Sequence, residues 1–181
     1  MRICIDAGHT GTNPDCDPGA IGKNCKECEI NLAVALKLDI LLRERGHLTL
    51  LTRTTPDNPD SDGLRYRTDL SDKFDADIFV SLHCNGFYNP AAYGFECWFF
   101  EKSYKGKLLA QTIAAQLKAK TPLASRGAKG TYNLYVLKNT KAPAVLVEMG
   151  FISNPSDEQY LMSDAGQKAI AQAICDALQF G

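Results

Sequence analysis

The chain has 181 residues, 45% of them hydrophobic and 23% charged, with a formal net charge of −1. That length suits one domain, residues 1–181, with a full core, and the balanced charge removes any electrostatic reason to expect nucleic acid or an anionic membrane as partner. No apolar run approaches the ~18 residues of a membrane span. The first residues, Met1-Arg2-Ile3-Cys4-Ile5-Asp6, enter a strand pattern without an apolar h-region. The expectation is a chain made in the cytoplasm without a signal peptide.

The first predicted strand is Arg2–Asp6, and Ala7–Lys26, rich in Gly, Asn, Asp, Pro and Cys, reads as a long loop. A loop of this length inside one domain tends to be functional. A helix begins at about Glu27 or Glu29 and runs to Arg45, with Ile30, Val34, Leu38 and Leu41 as its apolar stripe and Gly46 as its stop. Leu48–Thr52 is a second strand, Arg53–Gly63 a polar turn region and Leu64–Phe74 a helix. Strands follow at Asp77–His83 and Gly94–Phe100, then a helix at Ser103–Lys120. Two short strands, Leu134–Leu137 and Ala144–Glu148, precede a closing helix at Asp164–Phe180. Strands alternating with helices imply an α/β fold: an open, twisted, mostly parallel sheet of about six strands with helices on both faces. Strand order is not readable from this pattern.

Seven cysteines, an odd number, with Cys4 in a strand and Cys175 on a helix, do not make a secreted disulfide framework. Cys16, Cys25 and Cys28 cluster in the long loop, and Cys25-Lys26-Glu27-Cys28 has zinc-knuckle spacing, but the second half of such a motif is missing. These thiols are read as reduced and non-catalytic, with a disulfide or accessory metal in the loop as the alternative. Cys84 follows His83, but strand neighbours point to opposite faces, which argues against a Cys–His pair.

The chain has three histidines. His47 follows a helix-ending glycine and reads as a turn residue. His9 and His83 each close a buried strand, and side chains at the carboxyl ends of strands in an open α/β sheet line the ligand crevice. Two imidazoles and a carboxylate form a donor set for a catalytic zinc that leaves one position for water. Near His9 that carboxylate is one of Asp6, Asp15, Asp17, Glu27 or Glu29, and spacing does not choose among them. Glu148 ends a strand, Ala144-Val145-Leu146-Val147, that is apolar throughout and therefore buried on both faces. A carboxylate there is costly unless paired or functional. It is either a general base for a zinc-bound water or the partner of Arg126, Lys129 or Arg53.

Taken together, these residues resemble the zinc-dependent N-acetylmuramoyl-L-alanine amidases of bacterial wall hydrolases and phage endolysins. The resemblance runs from Ile3 to about Ala177. It rests on Asp6-Ala7-Gly8-His9, Asp17-Pro18-Gly19-Ala20, Glu27 with Asn31-Leu32-Ala33, Leu51-Thr52-Arg53 and Ser81-Leu82-His83-Cys84-Asn85. Later blocks are Arg126-Gly127, Leu134-Tyr135-Val136-Leu137 and Pro143–Glu148 running into Gly150-Phe151-Ile152-Ser153-Asn154. The resemblance implies that His9, Glu27 and His83 hold one catalytic Zn2+ and that Glu148 is the catalytic acid/base, with Asp6 supporting the His9 turn. Cys28, Cys84 and Asp72 depart from the family pattern.

The reaction implied is hydrolysis of the amide between N-acetylmuramic acid and the L-alanine of the stem peptide, with peptidoglycan as partner. Arg126 and Lys129 are candidate anchors for stem-peptide carboxylates, and Asn85 is a third substrate-binding candidate. A zinc exopeptidase of carboxypeptidase type could use the same donors, given an arginine for a free C-terminal carboxylate. A non-catalytic wall-binding module would be expected to have lost one of the four central residues, and all four are present. Without an export signal, a phage endolysin released through a holin-type pore is the expected setting, unless this is an excised catalytic domain, and a separate wall-binding domain is expected to be absent from this chain.

Overall fold

Ile3, Cys4 and Ile5 are wholly buried and form the middle of β1 (Arg2–Ala7) in the computed structural model, which describes residues 1–11, 17–56 and 63–180. Asp15 and Cys16 lie outside the described residues. Along the chain follow α1 (Glu27–Glu44), β2 (Leu48–Leu51), α2 (Leu64–Lys73), β3 (Ile78–Asn85), β4 (Phe95–Phe100), α3 (Tyr104–Lys120) and β5 (Ser125–Thr131). Then come α4 (Tyr135–Asn139), β6 (Ala144–Phe151), α5 (Pro155–Met162), α6 (Asp164–Ala177) and a 3-10 turn at Leu178–Phe180.

The strands form one sheet in the order β2-β1-β3-β6-β4-β5. The first four are parallel. β4 runs antiparallel to β6, and β5 lies parallel to β4 at the edge. This is the open, mostly parallel six-stranded sheet expected, with its last two strands reversed.

Alternation along the strands divides the core between two faces. Ile3, Ile5, Val80 and Val147 pack with Val34 and Leu38 of α1, Ile113 of α3 and Ile170 and Ile174 of α6. Cys4, Phe79 and Leu146 pack on the other face with Val136 and Leu137 of α4. Helices therefore cover both faces, and β6 is buried on both, as its unbroken apolar run requires.

Three elements differ from expectation. Leu134–Leu137 carries strand-like residues but folds into the short helix α4, where Lys138 N–H donates to the Leu134 carbonyl and Val136 and Leu137 cover the second sheet face. β5 was not anticipated because Ser125-Arg126-Gly127-Ala128-Lys129-Gly130-Thr131 has no apolar alternation. It is an edge strand held by its ladder to β4. Helix α5 also went unread, although Asn154 caps it by accepting from Ser156 N and Asp157 N, with Pro155 at its start.

Candidate metal centre

The turn after β1 is held in an uncommon conformation. His9 has φ 58, a left-handed value that an L side chain adopts only when its surroundings enforce it. Gly8 N–H donates to the Leu82 carbonyl at 3.0 Å, and Thr10 N–H to the Asp17 carbonyl at 3.1 Å. Two buried arginines grip the carbonyls between. Arg53 donates to Ala7 O at 3.0 Å and Gly8 O at 3.2 Å, and Arg67 donates to Ala7 O at 2.9 Å and His9 O at 3.3 Å. Arg67 is itself fixed by buried Asp6 at 2.6 Å, which also accepts from Thr52 and Ser81. Burial pushes the Asp6 carboxyl up, but Arg67 and these hydroxyl donors outweigh it and leave the group below the usual range. Asp6 thus braces the His9 turn through Arg67.

His9, Glu27 and His83 converge from β1, the start of α1 and β3, with one donor atom from each lying within 4.8 Å of the others. Glu27 Oε1 is 2.9 Å from His83 Nδ1 and 3.4 Å from His9 Nε2. The Glu27 carboxylate also accepts from Cys84 N at 3.0 Å, Ala20 N at 2.7 Å and Asn31 Nδ2 at 3.4 Å. Burial raises its pKa, but the hydrogen bond with His83 and the charges of His83 and His9 bring it below its ordinary value. The opposite balance applies at His83. Burial lowers its pKa, while Glu27 and Glu148 raise it more.

The other described carboxylates have separate work. Asp17 Oδ2 binds His9 Nδ1 at 3.0 Å, the kind of contact that fixes a ligating imidazole's tautomer and orientation. Glu29 Oε2 accepts from Lys26 N at 3.0 Å and so caps α1. Two glycines make the convergence sterically feasible. A Cβ on Gly8 would stand 2.3 Å from the His83 ring, and one on Gly19 would stand 2.4 Å from Glu27 Oε2. Two imidazoles and a carboxylate are a donor set that fits a divalent transition metal. His9, Asp17, His83 and Tyr135 share a cavity of about 150 Å³ beside it.

Glu148 is the register partner of His83 on one side and of Glu96 on the other. Its Oε2 is buried without a hydrogen-bond partner. Burial pushes its pKa up to about 7; the charge of His83 opposes this, and those of Glu27 and Glu96 add to it. None of the cations considered as alternative partners binds it. Arg126 Nε and Lys129 Nζ both donate to Glu96 Oε2, at 2.9 and 2.5 Å, and Arg53 is engaged by backbone carbonyls, including that of Cys28.

Asn85 Nδ2 and Trp98 Nε1 occupy Glu96 Oε1, at 3.0 and 3.2 Å. The three substrate-binding candidates therefore meet on one carboxylate that sequence reasoning overlooked. Its signal was a charge at the start of an otherwise apolar aromatic strand. His47 stands apart from the site, next to the N-terminal amine. Cys4, Cys25, Cys28, Cys84, Cys97 and Cys175 are free thiols, and Cys84 points to Asn31 in the core.

The chain matches the family model described as N-acetylmuramoyl-L-alanine amidase over residues 3–179. The germination-specific N-acetylmuramoyl-L-alanine amidase of Bacillus subtilis is 28% identical over 183 residues, covering 95% of this chain and 76% of that protein. The N-acetylmuramoyl-L-alanine amidase LytC of the same organism is 36% identical over 177 residues. That match takes in 96% of this chain but 34% of LytC, so the chain spans about a third of that relative. The crystal structure of an N-acetylmuramoyl-L-alanine amidase from Clostridium difficile 630 has a TM-score of 0.90 at 30% identity, covering 99% of this chain and 95% of that one.

Proposed function

The chain belongs to the N-acetylmuramoyl-L-alanine amidase family, and on that premise we propose that it cleaves the amide between N-acetylmuramic acid and L-alanine in peptidoglycan with one zinc ion held by His9, Glu27 and His83. The observation that carries the reading is the meeting of this donor trio with the unpartnered carboxylate oxygen of Glu148, the register partner of His83. Zinc bound there would polarise the scissile carbonyl and bring the pKa of a coordinated water to about 7.

Every other task falls to the chain's own groups. Asp17 orients His9, and the backbone N–H groups of Ala20 and Cys84 orient Glu27. Glu148 Oε2 takes a proton from the attacking water and returns it to the departing alanine nitrogen, the two halves of general base and acid catalysis. A buried carboxylate oxygen with no fixed hydrogen-bond partner is free for both halves. Arg126 and Lys129 supply two positive charges against the single charge of Glu96, which leaves this edge able to hold a stem-peptide carboxylate, with Asn85 beside it. The wall polymer is the partner. Among the described residues no helix is long and apolar enough to cross a membrane.

The test is digestion of purified peptidoglycan with and without chelator, scored by mass. Stem peptides beginning at L-alanine, released only without chelator and restored by zinc, are expected. Release of C-terminal amino acids would replace this reading with an exopeptidase, and binding without any release would replace it with a wall-binding module. Delivery as an endolysin is a finer reading of the same activity. Lysis of living cells only upon co-expression with a holin would bear it out.

A further inference from the structure

The largest apolar side chains in the segment between β3 and β4 face solvent. Phe87 is 48% exposed, Tyr88 91% and Tyr93 57%. The backbone that carries them is tied down. Phe87 N–H donates to Ser153 Oγ, Asn154 Nδ2 to the Pro90 carbonyl, Arg126 to the Tyr93 carbonyl and Gly94 N–H to Asp157 Oδ2. Ala91 N–H closes a turn on Asn89 Oδ1. The rings are thus displayed from a fixed mount, with Phe87 and Tyr88 in contact at 4.3 Å between centroids, and exposed apolar groups held in this way mark an interaction surface.

Beside Tyr93 lies a groove of about 570 Å³, walled by Tyr93 on one side and by Asn154, Ser156, Gln159 and Tyr160 on and before α5. Its volume is that of a small-ligand site. Its lining is aromatic, amide and hydroxyl in character, with an apolar stretch at Pro122, Leu123 and Ala124. The one carboxylate, Asp157, is turned inward, where its Oδ2 accepts from Gly94 N and Phe151 N. Burial holds the Tyr160 phenol above its ordinary pKa, so it stays neutral. Ser156 and Gln159 side chains have no protein partner among the described residues and are exposed. Arg126 ties the groove to the metal centre by bonding the Tyr93 carbonyl with one nitrogen and Glu96, opposite Glu148, with another.

A charged peptide finds no countercharge in such a lining. A pyranose ring does find what it needs. Its C–H faces suit the negative π-face of Tyr93, and its hydroxyl and acetamido groups suit the unpartnered amide and hydroxyls. We propose that this groove is a glycan subsite that takes an uncharged β-1,4-linked N-acetylhexosamine unit of the strand whose muramoyl amide lies at the metal centre. The identity of the ligand rests on the amidase reading, but its binding can be read without catalysis.

The probe is the β-1,4 tetramer of N-acetylglucosamine, titrated against the full chain by chemical-shift perturbation. Wild type should bind it saturably, Tyr93→Ala should weaken binding by about fivefold or more, and Tyr93→Phe, which keeps the ring, should restore it. In hydrolysis, Tyr93→Ala should lose about fivefold more kcat/KM on glycan strands than on a muramoyl dipeptide. Absence of tetramer binding, equal binding by Tyr93→Ala, or shifts at the groove with a free stem peptide instead of the sugar would overturn the proposal. If the sugar binds but no amide is cleaved, the subsite stands and the amidase reading falls. If amide is cleaved with an equal loss on both substrates, the subsite falls and the amidase reading stands.

Discussion

Glu96 and Glu148 stand directly opposite each other across the β4–β6 ladder, yet of these two carboxylates the neighbouring cations, Arg126 and Lys129, bind only Glu96. Four donors saturate Glu96 and none reaches Glu148 Oε2. Glu96 therefore keeps the cations off the proposed base and adds its own negative charge beside it. Both effects raise the Glu148 pKa, so both are lost in Glu96→Gln. Because Glu148 must be ionised to accept a proton, the acid limb of the pH–rate profile should move to lower pH in that variant. The disturbed cluster should also cost about 1–3 kcal/mol of stability, read by urea unfolding. An acid limb that stays in place would show that neither effect sets the Glu148 pKa.

Glu148→Gln should retain stoichiometric zinc and lose turnover by about 10²–10⁴-fold, the usual contribution of a positioned proton-transfer group. Metal content by mass spectrometry, measured beside the rate, separates the roles. Loss of metal would make Glu148 a ligand.

The raised pKa of Glu148 has a consequence for the metal-free protein. Its folded value of about 7 lies above the ordinary 4.5, so in this range the folded state holds a proton that the unfolded chain has released. The protonated carboxyl's contribution is fully present below about pH 4.5 and fades as pH climbs towards 7. Relative to Glu148→Gln, which does not titrate, wild type should lose stability across that window in chelator. A stability difference that stays flat from pH 4 to 8 would place the carboxyl at its ordinary pKa.

Three acidic residues near the first turn of α1 separate by role. Glu27→Ala should abolish tight zinc binding. Asp17→Ala, which releases His9 Nδ1, should weaken it by about 10–100-fold. Glu29→Ala removes a bond to the helix cap and should leave zinc affinity unchanged while lowering stability by about 1 kcal/mol. Competition with a chromophoric chelator orders the three, and a Glu29→Ala variant that loses zinc would move the ligand.

The sheet's parallel half was legible because burial writes itself into composition. Ile3–Ile5 and Ala144–Val147 are apolar at every position since both faces of the sheet are covered, and the polar residue ending such a run stands out. The reversed half was not. β5 has two glycines and no alternation, and only its partner strand defines it. α4 was misread because four residues are too few for period to outweigh β-branched and aromatic character. Asp17 entered as one of five carboxylates, and only coordinates show it on His9. Arg67 and Glu96 were invisible for a further reason: what each does depends on segments distant in the chain that a strand order brings together.

The reversal of β4 has one more result. Because β4 runs against β6, the chain leaves the sheet at Asn85 and re-enters it at Phe95 at the same end of the strands, carrying Phe87, Tyr88 and Tyr93 between. None of the proposed metal ligands lies in that segment. Its length and side chains can be exchanged without re-registering a parallel strand, as loops on a rigid scaffold allow. For an engineer, it is a cassette: a place to alter which wall polymers the protein prefers while the metal centre stays as it is.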